Sequence, residues 1–295
     1  MSKFSGATIG VTGASGNLGR HVVQHLQASG AKRIVAISRS PDKLHDLASP
    51  NVEFRSGSFD EPAGLAAAFA GIERLLIIST ADVLGRMRQQ INAAEAAVKA
   101  GVKHIAYTSI VSPYPDTDHA AAIPNSHYWT ETTIAASGVD FSLLRNNLYT
   151  DFLIPAAQHA IATGALYHAT GNGRRAFVTR EDCAAAAAAA LLNAEGKHVY
   201  DIGGQDALSA EDLAALLTTI SGRAVNAVNV SPEALRSGLT QAGVPEVMAG
   251  ALTRFDVDAS KGYLGIVSGD FDRLVRRKPR SVADFLTVHK AAIVK

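Results

Sequence analysis

Thr12-Gly13-Ala14-Ser15-Gly16-Asn17-Leu18-Gly19 is the stretch of this chain whose residue types and spacing best fit a chemical task. In a G-x-x-G-x-x-G run, Gly13 allows a tight turn and Gly16 lets the backbone approach a pyrophosphate. Gly19 permits close packing of a following helix on the preceding strand. Free N–H groups and the dipole at a helix start favour the charge of phosphates. A short apolar run precedes the segment and an amphipathic stretch follows it. That context turns a glycine triplet into a dinucleotide signal. A glycine-rich turn without a ligand is the alternative, and it leaves the context unexplained.

The type of nucleotide is read at the end of the second apolar run, Ile37-Ser38-Arg39-Ser40, with Lys43 a turn later. A chain that takes NAD usually has Asp or Glu here to accept the ribose hydroxyls. A guanidinium instead forks onto a 2′-phosphate and stacks on adenine. Arg39 therefore points to NADP(H), the alternative being a solvated surface arginine. Further on, Asp60 in Gly57-Ser58-Phe59-Asp60 is a candidate adenine contact, and Ile78-Ser79-Thr80-Ala81 offers small residues for the nicotinamide ribose. Ser, Thr and Asp also favour turns with no ligand at all, so both readings stay open.

These residues need elements to hold them. The apolar runs Ala7–Thr12, Ile34–Ser38, Val52–Arg55, Leu75–Ser79 and His104–Thr108 are continuous, not alternating, as expected of strands buried on both faces of a parallel sheet. Helical stretches Arg20–Ser29, Pro62–Ala70 and Gln89–Ala100 lie between them. The fold class that follows is α/β, a doubly wound parallel sheet. Phe141–Leu144 and Val199–Gly203 read as further strands. Thr179-Arg180-Glu181-Asp182 reads as a capping box ahead of a helix over Cys183–Asn193. Its seven alanines at 184–190 suit a smooth buried helix better than a linker. From Ser209 onward the pattern is mostly helical, which predicts a small lobe over the carboxyl edge of the sheet. Residues 1–150 then form the nucleotide-binding core, 151–205 return to the sheet, and 206–295 make the covering lobe.

Composition narrows the field. The 295 residues are 47% hydrophobic and 19% charged with a net charge of +1, which excludes wholesale disorder and any global field for nucleic acid or membranes. One cysteine, Cys183, rules out an internal disulfide, and no paired Cys/His pattern suggests zinc. His21 and His25 stand four apart beside Val22, Val23 and Leu26, but no third ligand accompanies them, so no metal is expected. Cys183 reads as a small buried residue. The basic clusters Arg174-Arg175 and Arg276-Arg277-Lys278 lack interleaved aromatics and read as solvated faces. Neither a signal peptide nor an apolar span of about twenty residues is visible, so the cytoplasm is the expected address.

With these residues placed, the chain resembles the NmrA-like branch of the atypical short-chain dehydrogenases. Within it, the chain is similar to the NADPH-dependent quinone oxidoreductase and triphenylmethane reductase group. The carriers are VTGASGNLG, AISRSPDK, GVKHIAYTS and SGVDFSLLRNNLYTDF, with TREDCAAAAAA and DASKGYLG in the second half. The resemblance implies cofactor contacts from Gly13, Ala14, Ser15, Gly16, Asn17 and Leu18, from Arg39, and from Ser79, Thr80 and Ala81. It extends them to Arg86, to Leu148, Tyr149, Thr150, Asp151 and Phe152, and to Arg180. His127, Trp129, Asn147 and Tyr149 would then lie near the nicotinamide and the substrate.

Ordinary short-chain dehydrogenases place a Lys four residues after a Tyr, the cation lowering the phenol pKa. Here Tyr128 is followed at that spacing by Thr132. This departure turns the expectation away from alcohol chemistry, and no catalytic acid or base is assigned. The function implied is direct hydride transfer from NADPH to a quinone or similarly flat, electron-poor acceptor. A redox-sensing dinucleotide binder without turnover is the alternative. The expected partner is the small-molecule acceptor; a homodimer stays open.

Overall fold

Parallel pairing of short apolar strands builds the frame. The computed structural model describes residues 2–116 and 122–294. Strands β1 (Thr8–Val11), β2 (Arg33–Ser38), β3 (Val52–Ser56), β4 (Arg74–Ile77), β5 (His104–Ile110) and β6 (Asp140–Asn146) are joined by β8 (Lys197–Ile202) in one sheet ordered β3-β2-β1-β4-β5-β6-β8. Every pairing is parallel. The chain steps outward from β1 to β2 and β3, then returns to place β4 on β1's other side. That reversal opens a crevice at the carboxyl ends of β1 and β4, where such sheets bind ligands.

Both faces are covered over the inner strands β1, β2, β4 and β5, which is why these are apolar and buried, whereas the edge strands β3 and β8 are not the continuous apolar runs expected and carry exposed polar residues. One core joins the sheet to α1 (Asn17–Ala28) and α6 (Arg180–Asn193), with Val22, Val23 and Leu26 of α1 fully buried. Each such side chain contributes roughly 1.5–3 kcal/mol. Helix α6 supplies Ala184, Ala186, Ala187 and Ala190 to the same core, and its smooth surface packs on α1 and on β4, β5 and β6. The opposite face is filled by α2 (Pro62–Ala68), α3 (Arg86–Lys99) and α4 (Ala122–Ala136). Cys183 is buried, and burial pushes its thiol well above the ordinary range, as expected of an inert packing residue.

After β6 the chain runs through α5 (Leu153–Thr163) and β7 (Ala165–His168) before re-entering the sheet by way of α6 and β8. The remainder comprises α7 (Ala210–Ser221), β9 (Asn226–Asn229), α8 (Pro232–Gln241), α9 (Glu246–Ser260), α10 (Asp270–Val275), α11 (Val282–Val288) and α12 (Lys290–Ile293). A small core of Val111, Ala259 and Leu264, with Ile110, Leu148 and Phe255, seats α9 on the loops beyond β5 and β6. No helix among the described residues is long and apolar enough to cross a membrane.

Several expected boundaries differ. The second half is not only helical: β7 and β9 pair in parallel as a separate two-stranded sheet, too short to announce itself by periodicity. Strands β5 and β6 run on through Ser109 and Ile110, and through Arg145 and Asn146, which pair with each other past the apolar stretch. Helix α3 starts at Arg86, not Gln89, because Asp82 accepts the N–H groups of Leu84 and Gly85 and its carbonyl accepts that of Arg86. The capping box at Thr179 is half formed. Thr179 Oγ1 accepts the Asp182 N–H at 3.0 Å, but the Asp182 carboxylate does not return to the Thr179 N–H. It accepts the Thr179 hydroxyl and the Arg280 N–H instead and pairs with Arg277, so it fastens the C-terminal segment to α6.

Candidate active site

The glycine loop closes the carboxyl end of β1. Gly13 has φ +62°, a left-handed conformation that favours glycine, and its carbonyl accepts the Gly16 N–H at 2.9 Å. A Cβ added at Gly19 would stand 2.3 Å from Gly13 O and 2.8 Å from Ala14 Cα, so helix and loop touch only because residue 19 has no side chain. Helix α1 has no side-chain cap, which leaves the N–H groups of Asn17 and Leu18 free to meet an anion at its N-terminus. Gly13, Ala14, Ser15, Gly16, Asn17 and Leu18 therefore form one continuous cradle.

Arg39 leaves the neighbouring strand end. Ser38 Oγ lies 2.8 Å from Ser15 Oγ and accepts the Ser40 N–H at 3.0 Å, so the backbone on either side of Arg39 is tied to the loop. The Arg39 side chain is exposed and, among the described residues, has no hydrogen-bond or ion-pair partner. Arg20 braces this region, donating to Ser15 O and Lys43 O and pairing with Asp46. Asp60 is already engaged by Arg88 at 3.0 Å and by Gln89 at 3.1 Å.

Beyond β4 the chain is pinned from two sides. Thr12 Oγ1 donates to Leu76 O and accepts the Ile78 N–H, both at 3.0 Å. Thr108 Oγ1 accepts the Ser79 N–H at 2.9 Å, and Gln90 Oε1 accepts that of Thr80 at 3.3 Å. Ser79, Thr80 and Ala81 thus hold a fixed course across the edge. Sequence reasoning missed Thr12, Gln90 and Thr108 as supports; the signal was two hydroxyls where apolar runs end and an amide in the first turns of a helix.

One turn before Gln90 on α3 stands Arg86, only 7% exposed. Its Nη2 donates to His127 Nε2 at 3.0 Å, and among the described residues no carboxylate pairs with it. An arginine only donates, so His127 carries its proton on Nδ1, which lies 2.7 Å from the Tyr107 hydroxyl. Thr130, on the same helix as His127, accepts from Gln90 at 3.1 Å and donates to Ser126 O. Burial and the adjacent guanidinium hold His127 far below the ordinary histidine range, so it is neutral. Burial raises Tyr107 and lowers Arg86.

Past β6, the remaining residues close the edge. Asn147 is fixed, its Nδ2 donating to Leu264 O and its Oδ1 accepting the Leu148 N–H. Arg180 pairs with Asp151 at 3.1 Å and lies 5.1 Å above the Tyr149 ring and 5.0 Å above Phe152. Leu148 is half-buried, Thr150 is buried and Phe152 is 51% exposed. Burial raises the Tyr149 hydroxyl. His127 and Trp129 do not share a face: α4 turns His127 inward, while Trp129 is 45% exposed and packs edge-on against Tyr128. Thr132 Oγ1 donates to the Tyr128 carbonyl, and no cation pairs with the Tyr128 hydroxyl among the described residues. Nor do any three His, Cys, Asp or Glu side chains among them gather as a metal site.

Among the described residues, five of the ten buried polar side-chain atoms without partners lie at this edge: Thr80 Oγ1, Arg86 Nε, Ser109 Oγ, Asn146 Oδ1 and Thr150 Oγ1. Interiors rarely leave such groups unmatched, and a polar ligand laid across the edge would match them.

Comparison with known proteins agrees with this geometry. A family model described as NAD(P)H-binding matches residues 13–194. Quinone oxidoreductase 2 of Escherichia coli is 38% identical over 279 residues, which is 94% of this chain and 96% of that protein. The crystal structure of an NADPH-dependent quinone oxidoreductase from Escherichia coli complexed with NADPH superposes with a TM-score of 0.89 at 36% identity, covering 95% of this chain and 99% of the other. The Citrobacter sp. triphenylmethane reductase complexed with NADP(H) gives 0.84 at 33% identity, with coverage of 95% and 99%.

Proposed function

The chain belongs to the NAD(P)H-binding family, and on that premise we propose that it is an NADPH-dependent reductase that passes hydride directly to a quinone or a similarly flat, electron-poor acceptor. The observation that carries this reading is the end-to-end likeness to quinone oxidoreductase 2, with the glycine cradle and the unpaired Arg39 present in this chain. The partnerless atoms at the carboxyl edge support the fit of the cofactor's nicotinamide half. Bound NADPH would supply two electrons and a proton as one hydride. The chain's own work is to bind, orient and exclude water.

In this reading Gly13 to Leu18 take the pyrophosphate and Arg39 takes the 2′-phosphate. Ser79 to Ala81 lie along the nicotinamide ribose. Leu148 to Phe152 and Arg180 are further cofactor contacts, and His127, Trp129, Asn147 and Tyr149 lie toward the nicotinamide and the acceptor. Residues 206–295 act as the covering lobe, and the protein works in the cytoplasm. NADPH consumption, followed by absorbance across a panel of quinones and dyes, tests the proposal. Turnover with at least one flat acceptor is expected. Tight NADPH binding with no turnover of any acceptor would overturn it in favour of a dinucleotide sensor.

A further inference from the structure

A guanidinium buried without a carboxylate is costly, and proteins keep such a charge where something else compensates it. Arg86 is in this position. Nη2 is taken by the neutral His127, Nε is buried with no acceptor, and Nη1 makes no hydrogen bond among the described residues. Among the described residues, the charged groups that face it are few: Asp82 contributes at a distance, but its carboxylate is occupied by Leu84, Gly85 and Gln89, and the other neighbours are the Tyr107 and Tyr149 hydroxyls. Gln90, one turn further on the same face of α3, holds Thr80, which places Arg86 at the edge where the acceptor is expected.

We propose that Arg86 is a catalytic residue that stabilises the negative charge developing on an oxygen of the acceptor, and that His127, braced by Tyr107, is the positioning residue that aims it. This rests on the quinone-reductase reading and adds a role toward the acceptor. Hydride gives a quinone two electrons and one proton, leaving a monoanion with its charge on oxygen; one proton from water completes the hydroquinone. The nicotinamide is oxidised by the same two electrons. A fixed cation in a water-poor site lowers the barrier to such a charge because it needs no reorganisation as the charge forms. The His127 tautomer matters here. With Nε2 as acceptor it fixes one edge of the guanidinium and leaves Nε and Nη1 for the incoming oxygen.

A triphenylmethane cation provides the contrast. Hydride forms a C–H bond at its central carbon and yields a neutral product, so no anion appears and Arg86 gives no help. The test is the ratio of kcat/KM for benzoquinone to that for a triphenylmethane dye, at saturating NADPH, in the wild type, Arg86→Gln and Arg86→Lys. Arg86→Gln should lower the ratio about a hundredfold, the scale for removing one oxyanion-stabilising donor. Arg86→Lys, which keeps the charge, should restore much of it, and His127→Leu should lower it in the same direction. Equal losses on both acceptors would overturn the proposal, since they mark a structural or cofactor-binding role.

A second readout needs no turnover. With oxidised cofactor present, 4-nitrophenol bound to the wild type should ionise at lower pH than in water, read from its yellow anion, and Arg86→Gln should abolish the shift. An unshifted titration on the wild type would also overturn the proposal. If the wild type reduces no acceptor at all, the reductase reading fails, and the nitrophenol titration still decides whether Arg86 receives an oxyanion.

Discussion

Replacing Arg39 by Gln removes a charge that nothing else in the fold uses. The guanidinium has no partner among the described residues, so no internal ion pair breaks and the whole effect should appear in cofactor affinity. A charge-assisted hydrogen bond is worth about 1.5–3 kcal/mol. Arg39 is exposed, so the low end applies, and about 1.5 kcal/mol corresponds to roughly tenfold in Kd. Lys43, a turn later, still lends the site some positive charge. Arg39→Gln should therefore weaken NADPH about tenfold and leave NADH nearly untouched. Arg39→Asp adds repulsion of about 1 kcal/mol or more at water-like dielectric and should reverse the preference. Titration of the wild type and both variants with each cofactor, read from nicotinamide fluorescence, gives the six constants. The preference should also shrink with added salt in the wild type, because an exposed pair is screened. Equal affinity for NADPH and NADH in the wild type would refute the reasoning. So would a parallel loss of both cofactors in Arg39→Gln.

Gly19→Ala forces a Cβ against the Gly13 carbonyl, where backbone must move. A cost of about 1–3 kcal/mol should lower the thermal midpoint by several degrees and weaken both cofactors, as calorimetry and titration will show. Tyr128→Phe should keep most of its quinone reductase activity, since Thr132 offers the phenol no charge; a hundredfold loss in steady-state kinetics with NADPH binding intact would make Tyr128 an acid–base residue after all. His104 is held at about 3 by burial, against an ordinary 6.5. Its folded pKa is the lower one, so the unfolded chain binds the extra proton. Stability should therefore fall as pH drops from 6.5 toward 3, by about 1.4 kcal/mol per unit at most, and His104→Gln should flatten that part of a denaturation-versus-pH profile.

How far the sequence reached can be followed residue by residue. The glycine loop and the run of buried strands were legible because local steric rules and continuous apolarity leave few alternatives. The alanine-rich helix was legible for the same reason. The carboxyl edge was less so. Ser109 and Asn146 lie on strand segments that pair in register but carry polar side chains, and a reading built on apolar runs stops short of them. Arg86 begins a helix whose start depends on Asp82 folding back, and the burial of its charge follows from three other elements meeting there. The family resemblance puts His127 and Trp129 together near the nicotinamide, whereas α4 turns the first inward and leaves the second 45% exposed. The paired strands β7 and β9 lie about sixty residues apart, a tertiary choice that no local pattern encodes.

Direct hydride transfer is the claim on which the rest depends, and an isotope label tests it most plainly. NADPH deuterated at the transferable C4 position is mixed with the protein and a triphenylmethane dye in ordinary water, and the colourless product is examined by mass spectrometry. The new C–H bond at the central carbon does not exchange with solvent. With direct transfer the product carries one deuterium and the reaction slows with the labelled cofactor. Product formed without deuterium would contradict it, because the hydrogen would then have come from water and not from the nicotinamide.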